Sequence, residues 1–229
     1  SRGARSTSPG CRAFMLCSAM RRAGALRRRC TVARLEPPAE LDLLRPSVGQ
    51  VRGGAARPPV ELHADVITPA EEDALAAEAD RYLRARRYEA GHFDGVIRHY
   101  RELQRPLRSW SSASRSLFDR VASLAALPSG AELLPVHVLD LEAHGEISRH
   151  VDHVEYSGES IVGLSLLSHA VMLLQHEADP AAAFDLLLPR RSLYVLRGEA
   201  RYRWAHSLPL QPSFEGQSLP PKSRRISVL

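Results

Sequence analysis

Residues 160–207 read SIVGLSLLSHAVMLLQHEADPAAAFDLLLPRRSLYVLRGEARYRWAHS, a series of short apolar runs separated by turn residues. The runs Ser160 to Leu167, Ala170 to His176, Ala183 to Leu188, Ser192 to Arg197 and Arg201 to Ser207 each have the length of a strand. Upstream, Val136 to Glu142 and Glu146 to Asp152 continue the pattern, and Arg224 to Leu229 closes it. Strands at this spacing, with no helical segment between them, predict a β-sandwich or barrel rather than alternating βαβ units.

Ahead of the strands the texture is helical. Thr68 and Glu71 form a capping box with Pro69 at the first helical position, so a helix is expected from there to about Arg87. Its apolar stripe is Leu75, Ala79 and Leu83 with Tyr82 beside it, and Glu72, Asp73, Glu78 and Arg81 fall largely outside. A second helix starts in the serines 111–114, with Leu117, Val121 and Leu124 on one face, and ends before Pro128 and Gly130. Between the two, Tyr88 to Trp110 reads as an irregular loop. It contains His92, Phe93, Asp94, Arg98, His99, Tyr100 and Arg105, a mixture suited either to substrate contact or to packing over a sheet.

The 229 residues contain 31 Lys+Arg, 26 Asp+Glu and 44% apolar residues, enough for one globular domain with a tail. The most apolar run, Ile161 to Leu174, is interrupted by Ser165, Ser168 and His169, which excludes a membrane-spanning helix of about 18 apolar residues. Nine of the basic residues are arginines within residues 1–34, where no acid occurs, which leaves 22 basic against 26 acidic residues in 35–229. The basic net charge of +5 therefore belongs to a leader and is no footprint for nucleic acid on the domain. All three cysteines lie there too, so any metal in the domain must be held by His and carboxylate. The acid-free, Arg-rich leader 1–34 reads as a mitochondrial transit peptide, implying the matrix. A basic tail or translated upstream sequence is the alternative, with Met15 and Met20 as possible starts. Residues 35–60, with Pro37, Pro38, Pro46, Pro58, Pro59, Gly53 and Gly54, read as linker, and 61–229 as the folded domain.

The chemistry is expected in SRHVD. His150 and Asp152, two apart on an expected strand, leave the same face and can share one ion. Among ten histidines a lone His-x-Asp means little, but His206 lies on a second expected strand, and Arg225 and Ser227 alternate on the last. Two imidazoles and one carboxylate leave adjacent positions on Fe(II) open for a chelating co-substrate and O2. A buried arginine nearby would be an uncompensated charge unless the far carboxylate of that co-substrate paired with it.

In RRYEAGHFD, VHVLDLEAHG, SRHVD, GLSLLS, SLYVLRGEARYRWAH and RRISV, from about Arg81 to the C-terminus, the sequence resembles the AlkB-like Fe(II)/2-oxoglutarate dioxygenases, and among them the mitochondrial vertebrate branch. The resemblance implies a mainly β fold with flanking helices (α+β), built on a double-stranded β-helix (jelly-roll) core with helices packed on one sheet. It implies His150, Asp152 and His206 as iron ligands, with Arg225, assisted by Ser227 and Tyr194, holding 2-oxoglutarate. For Tyr194 a core role is equally open, since a buried phenol needs a partner in any case. Implied with the fold are hydroxylation of a protein, the favoured partner, or demethylation of an N-methylated base in mitochondrial RNA. A role in fatty-acid metabolism and in regulated necrosis after alkylation damage comes with the same resemblance, and a monomer is the default. Two departures stand out. The second arginine of the family, six residues after the first, would fall beyond Leu229, which implies truncation or a missing contact. The usual upstream Asn-x-Tyr is matched to Asp140 and Glu142, acids expected to repel a substrate phosphate and so to favour protein. A jelly-roll interaction protein with a vestigial metal site is the competing, non-catalytic reading.

Overall fold

The computed structural model describes residues 43–46, 57–128 and 133–229, all within the unit Glu36–Leu229. The leader and most of the Pro/Gly-rich stretch lie outside the described residues. In chain order the elements are β1 (Leu44–Pro46), β2 (Glu61–His63), α1 (Pro69–Leu83), β3 (Glu89–Gly91), β4 (Ile97–Arg105), a 3-10 turn (Leu107–Ser109), α2 (Ser112–Leu124) and β5 (Val136–His150). There follow β6 (Ser160–Leu166), β7 (Ala170–His176), β8 (Ala183–Leu188), β9 (Leu193–Arg197), α3 (Gly198–Tyr202), β10 (Trp204–Leu208), the small β11 (Ser213–Phe214) and β12 (Gln217–Ser218), and β13 (Arg225–Val228). No helix among the described residues is long and apolar enough to cross a membrane.

Eleven strands form one curled antiparallel sheet in the order β1-β8-β7-β10-β5-β13-β6-β9-β2, with β4 on β5 and β3 on β4, while β11 and β12 form a separate pair. This is the jelly-roll expected from the family resemblance. β5 is the pivot. One edge pairs with β4, while the other pairs with β13 over Val138 to Leu141 and with β10 at Ile147 and His150. Successive side chains therefore divide between two cores. Val136, Val138, Leu164, Leu166 and Ile226 face the helices, against Leu75, Leu83, Trp110 and Phe118. Leu139, Leu141, Met172, Leu174, Tyr194 and Trp204 line the interior of the roll.

Several elements differ from the sequence reading. Tyr88 to Trp110 is the hairpin of β3 and β4 and not an irregular loop. Its pattern was hidden because β4 carries charged residues paired to neighbours, as in Arg101 to Asp140. The two strands expected within 136–152 are one. Between the pairs Arg98 with Glu146 and Tyr100 with Leu141, β4 advances two residues while β5 advances five, so residues 142–145 form an excursion. A side chain at Gly145 would place its β-carbon 2.7 Å from the His99 carbonyl, which explains glycine there. Residues 201–203 are not strand: α3 runs through Tyr202 and β10 begins at Trp204. Leu44–Pro46, inside the expected linker, pairs with β8.

α1 has the expected capping box, with the Glu71 amide 3.2 Å from Thr68 Oγ1 and the Thr68 amide 2.8 Å from Glu71 Oε2, but it ends at Leu83. Glu72 and Glu78 are not on its solvent side. Both are buried, because each is the polar end of a tertiary contact. Glu72 accepts from the Leu167 amide at 2.6 Å and from Arg190 at 2.9 Å. Glu78 accepts from the Ser111 amide (2.8 Å), Ser111 Oγ (2.7 Å), Ser114 Oγ (2.6 Å) and Tyr82 Oη (2.8 Å), so it fastens the start of α2 to the middle of α1.

Burial alone would raise the Glu78 pKa, but the donors from Ser114, Ser111 and Tyr82 outweigh it and bring it from 4.5 down to about 2. A carboxylate whose folded pKa is depressed contributes stability that is complete above its unfolded pKa and is lost as the pH falls through the folded value. Glu78→Gln is therefore expected to lower unfolding free energy by about 2 kcal/mol at neutral pH. The gap to the unsubstituted protein should close as the pH is lowered from 4.5 toward 2. Urea unfolding of the two proteins at neutral and acid pH measures this, and a gap that does not depend on pH contradicts it.

Candidate active site

Three side chains converge at the end of β5. His206 on β10 is paired directly with His150, and the next pair is Leu208 with Ile147, so β5 uses three residues where β10 uses two. The extra residue is a bulge that reverses the alternation. Ile147 already faces the interior, and without the bulge His150 would face out. With it, the two imidazole centroids lie 4.3 Å apart. Asp152 is not on the strand where the sequence placed it but in the irregular segment that leads from β5 into the following turn. Its Oδ1 lies 3.6 Å from His150 Nε2 and its Oδ2 3.8 Å from His206 Nε2. One ligand atom from each of the three falls within 4.8 Å of the others.

What holds Asp152 is Arg201, which the sequence reading did not single out. Its guanidinium is buried and donates to the carbonyls of Asp152 (2.9 Å), His153 (3.3 Å) and Gly158 (3.4 Å), bracing the turn from α3. His150 Nδ1 lies 2.9 Å from the Ser148 carbonyl, so that nitrogen carries a proton; burial would lower the His150 pKa, but Asp152 and the Ser148 carbonyl outweigh it and hold it above its ordinary value. Burial pushes the His206 pKa down to about 4, and the charges of His150 and Arg201 add to this against the pull of Asp152. Burial would raise Asp152, yet the hydrogen bond from His150 and the nearby positive charges bring it below the usual carboxylate value. At neutral pH the set thus contains an ionised carboxylate and a neutral His206, the forms in which both bind a divalent metal.

Deeper in the roll, β13 lies between β5 and β6. Arg225 is opposite Leu141, and Ser227 is opposite Leu139 and Ser165, so both point inward. Arg225 is 1% exposed and donates from Nη2 to Ser165 Oγ at 2.8 Å, while its Nε and the Ser227 hydroxyl have no partner. Tyr194 is buried beside Arg225, and burial holds its pKa up. It sits across from Gly163, where any β-carbon would overlap the phenol ring, so the glycine of GLSLLS makes room for this tyrosine.

Arg224 points the other way, as alternation requires. Its guanidinium grips Asp140 through Nε (2.8 Å) and Nη2 (2.8 Å), with Asp80 beside it. Asp140, expected near the substrate, is therefore on the helix side. It is fully buried there and also accepts from Arg101 (2.7 Å) and Tyr88 (3.0 Å). Glu142 lies in the excursion, 3.2 Å from His144 and 3.8 Å from His99. The interior positions of this stretch are Leu139 and Leu141, so the supposed acidic pair places no repulsive charge beside the histidines. A cavity of about 570 Å³ bordered by Phe118, Leu133, Ile161 and Val228 also lies toward α2, touching the cluster only at Asp152.

The sequence model of the 2OG-Fe(II) oxygenase superfamily matches residues 70–228. The mouse protein "Alpha-ketoglutarate-dependent dioxygenase alkB homolog 7, mitochondrial" is 44% identical over 177 residues, 77% of this chain and 79% of that one. The bovine protein of the same name is 44% identical over 188 residues, 79% and 84% of the two chains. In fold, the chain is similar to the solved structure of OsALKBH1, with a TM-score of 0.52 at 15% identity over 76% of this chain and 97% of that one. A match over most of the domain and close relatives along most of their length together place this chain among the AlkB-like Fe(II)/2-oxoglutarate-dependent dioxygenases, enzymes that use Fe(II), 2-oxoglutarate and O2.

Proposed function

We propose that His150, Asp152 and His206 hold the iron, that Arg225, Ser227 and Tyr194 receive 2-oxoglutarate, and that the enzyme hydroxylates a protein in the mitochondrial matrix. The observation that carries the site assignment is the meeting of the three ligand atoms within 4.8 Å. The donor set fits: two imidazole nitrogens and one carboxylate suit Fe(II) and leave adjacent positions open. The co-substrate fits as well, because Arg225 Nε and Ser227 Oγ are buried donors that lack an acceptor. When bound, the iron couples oxidative decarboxylation of 2-oxoglutarate by O2, giving succinate and CO2, to hydroxylation of a substrate C–H bond.

The residues of the chain bind and orient. Asp152 contributes the negative charge of the metal site, and Arg201 keeps its turn in place. The Ser148 carbonyl orients the His150 ring, and the buried Leu139 and Leu141 are the cross-strand neighbours of Ser227 and Arg225. A vestigial interaction module is disfavoured by the same pocket, since a buried guanidinium with idle donors is a burden without a ligand. A protein substrate is supported by the mild acidity of 35–229, 22 basic against 26 acidic residues. An N-methylated base in mitochondrial RNA is the second reading, and the position of Asp140 on the helix side removes one objection to it. The names of the relatives support a mitochondrial location. The family resemblance supports a role in fatty-acid metabolism and regulated necrosis.

Asp152→Ala is expected to abolish iron-dependent succinate release and to weaken Mn2+ binding, with the fold retained by circular dichroism; unchanged turnover would put the site elsewhere. Arg225→Ala should weaken 2-oxoglutarate binding by about 2–5 kcal/mol, the cost of removing one member of a buried charge pair. Arg225→Lys should recover part of this, keeping the charge but losing the two-pronged geometry. Arg224→Ala should leave co-substrate binding unchanged, and calorimetric titration of the variants decides between the two arginines. Mass spectrometry of matrix proteins and mitochondrial RNA, with and without the enzyme, should find a protein gaining one oxygen. A loss of one methyl confined to RNA would select the second reading.

A further inference from the structure

Three buried polar groups without partners fall on one short stretch of chain: Lys222 Nζ, Arg225 Nε and Ser227 Oγ. Lys222 is 3% exposed, and a lysine so buried ordinarily has an anionic partner. The other buried or half-buried cations nearby have theirs. Arg201 has three carbonyls, while Arg224 and Arg101 share Asp140 and Asp80. Lys222 has neither. The charges that act on it are Arg225, which repels it, and Glu146, which attracts it but forms no ion pair with it and lies 3.4 Å from Arg98. Lys222 and Arg225, three residues apart, are thus two buried cations without an acidic partner, and the contacts of Arg225 are Ser165 and a phenol. Such an arrangement is destabilising in the absence of an anion and favourable in its presence.

The backbone holds Lys222 in place before any ligand arrives. Pro220 and Pro221 restrict φ directly ahead of it. His169 Nε2 contacts the Pro220 carbonyl at 3.2 Å, and the Ser223 amide donates to Ser168 Oγ at 3.1 Å, so the segment is tied to the turn after β6 on both sides of the lysine. A long side chain launched from a fixed backbone loses less entropy when it meets a ligand.

We infer that Lys222 is a second cationic arm of the co-substrate pocket, which with Arg225 recognises the distal carboxylate of 2-oxoglutarate and so selects dicarboxylic over monocarboxylic 2-oxo acids. This rests on the reading that Arg225 faces the co-substrate. It assigns a specificity role to a residue outside the Arg-x-Ser arrangement. It also accounts for how the far end of a dianion is neutralised where a single guanidinium already spends one donor on Ser165.

The test is calorimetric titration of the full chain loaded with Mn2+, with two probes of equal carbon length: 2-oxoglutarate, and 2-oxopentanoate, which has a methyl group in place of the distal carboxylate. Lys222→Met should weaken 2-oxoglutarate binding roughly tenfold to a hundredfold, the range for losing a charge-assisted contact, and leave 2-oxopentanoate within about twofold. Lys222→Arg should restore most of the preference. The melting temperature of Lys222→Met without ligand should rise, because a buried unpaired charge is gone, an effect opposite to that of losing a structural contact. If Lys222→Met binds 2-oxoglutarate like the unsubstituted protein while Arg225→Ala does not, the inference is overturned and the pocket assignment stands. Equal loss of both probes in Lys222→Met makes the lysine structural and also overturns it. If neither variant affects 2-oxoglutarate, the pocket assignment itself fails, and the inference with it.

Discussion

The architecture depends on β5 changing its partner. Its first half is hydrogen-bonded to β13 and its second half to β10, and β4 lines the other edge on both sides of the 142–145 excursion. A strand shared in this way belongs to both halves of the roll and holds the inward side chains of β13 and β10 around one interior. Arg225 is consequently placed beside Leu141, and His206 beside His150, on the same continuous chain. The excursion at 142–145 and the bulge before His150 absorb the change of direction, and the bulge selects which face the histidine joins.

Buried charge is treated in opposite ways on the two faces of this sheet. On the helix side every buried carboxylate is saturated: Glu72 by Arg190 and the Leu167 amide, Glu78 by two serines and a tyrosine, Asp140 by Arg224, Arg101 and Tyr88. These contacts join elements far apart in sequence and specify how the helices sit. In the interior, donors on Arg225 and Ser227 lack partners, as does the buried Lys222 Nζ three residues before Arg225. Unsatisfied groups cost stability unless a ligand supplies the missing acceptor.

The candidate metal site shows a related division of labour. His150 and His206 are fixed by the sheet, but Asp152 stands outside it, in a turn with no ladder of its own. Arg201 supplies the missing rigidity through three carbonyl contacts, and being cationic it also helps to keep Asp152 ionised and His206 neutral. One side chain thereby braces the turn that carries Asp152 and adds a minor share to the lowering of both pKa values.

Local patterns were legible in the sequence because they depend on neighbours in the chain. The capping box at Thr68 needs only residues three apart, and the opposite directions of Arg224 and Arg225 need only strand alternation. The grouping of His150, Asp152 and His206 was legible from residue type together with resemblance. What depended on distant partners was not. Glu72 and Glu78 read as solvent-facing because their partners lie on other elements. Asp140 was assigned to the wrong face because VHVLDL is buried on both sides, so its hydrophobicity does not mark the parity. The bulge that turns His150 inward, and the turn that takes Asp152 off the strand, arise from pairing with β10 and from Arg201. Tertiary structure alone decided them, since a bulge is a mismatch between two strands, and one strand read by itself carries no record of its partner's count.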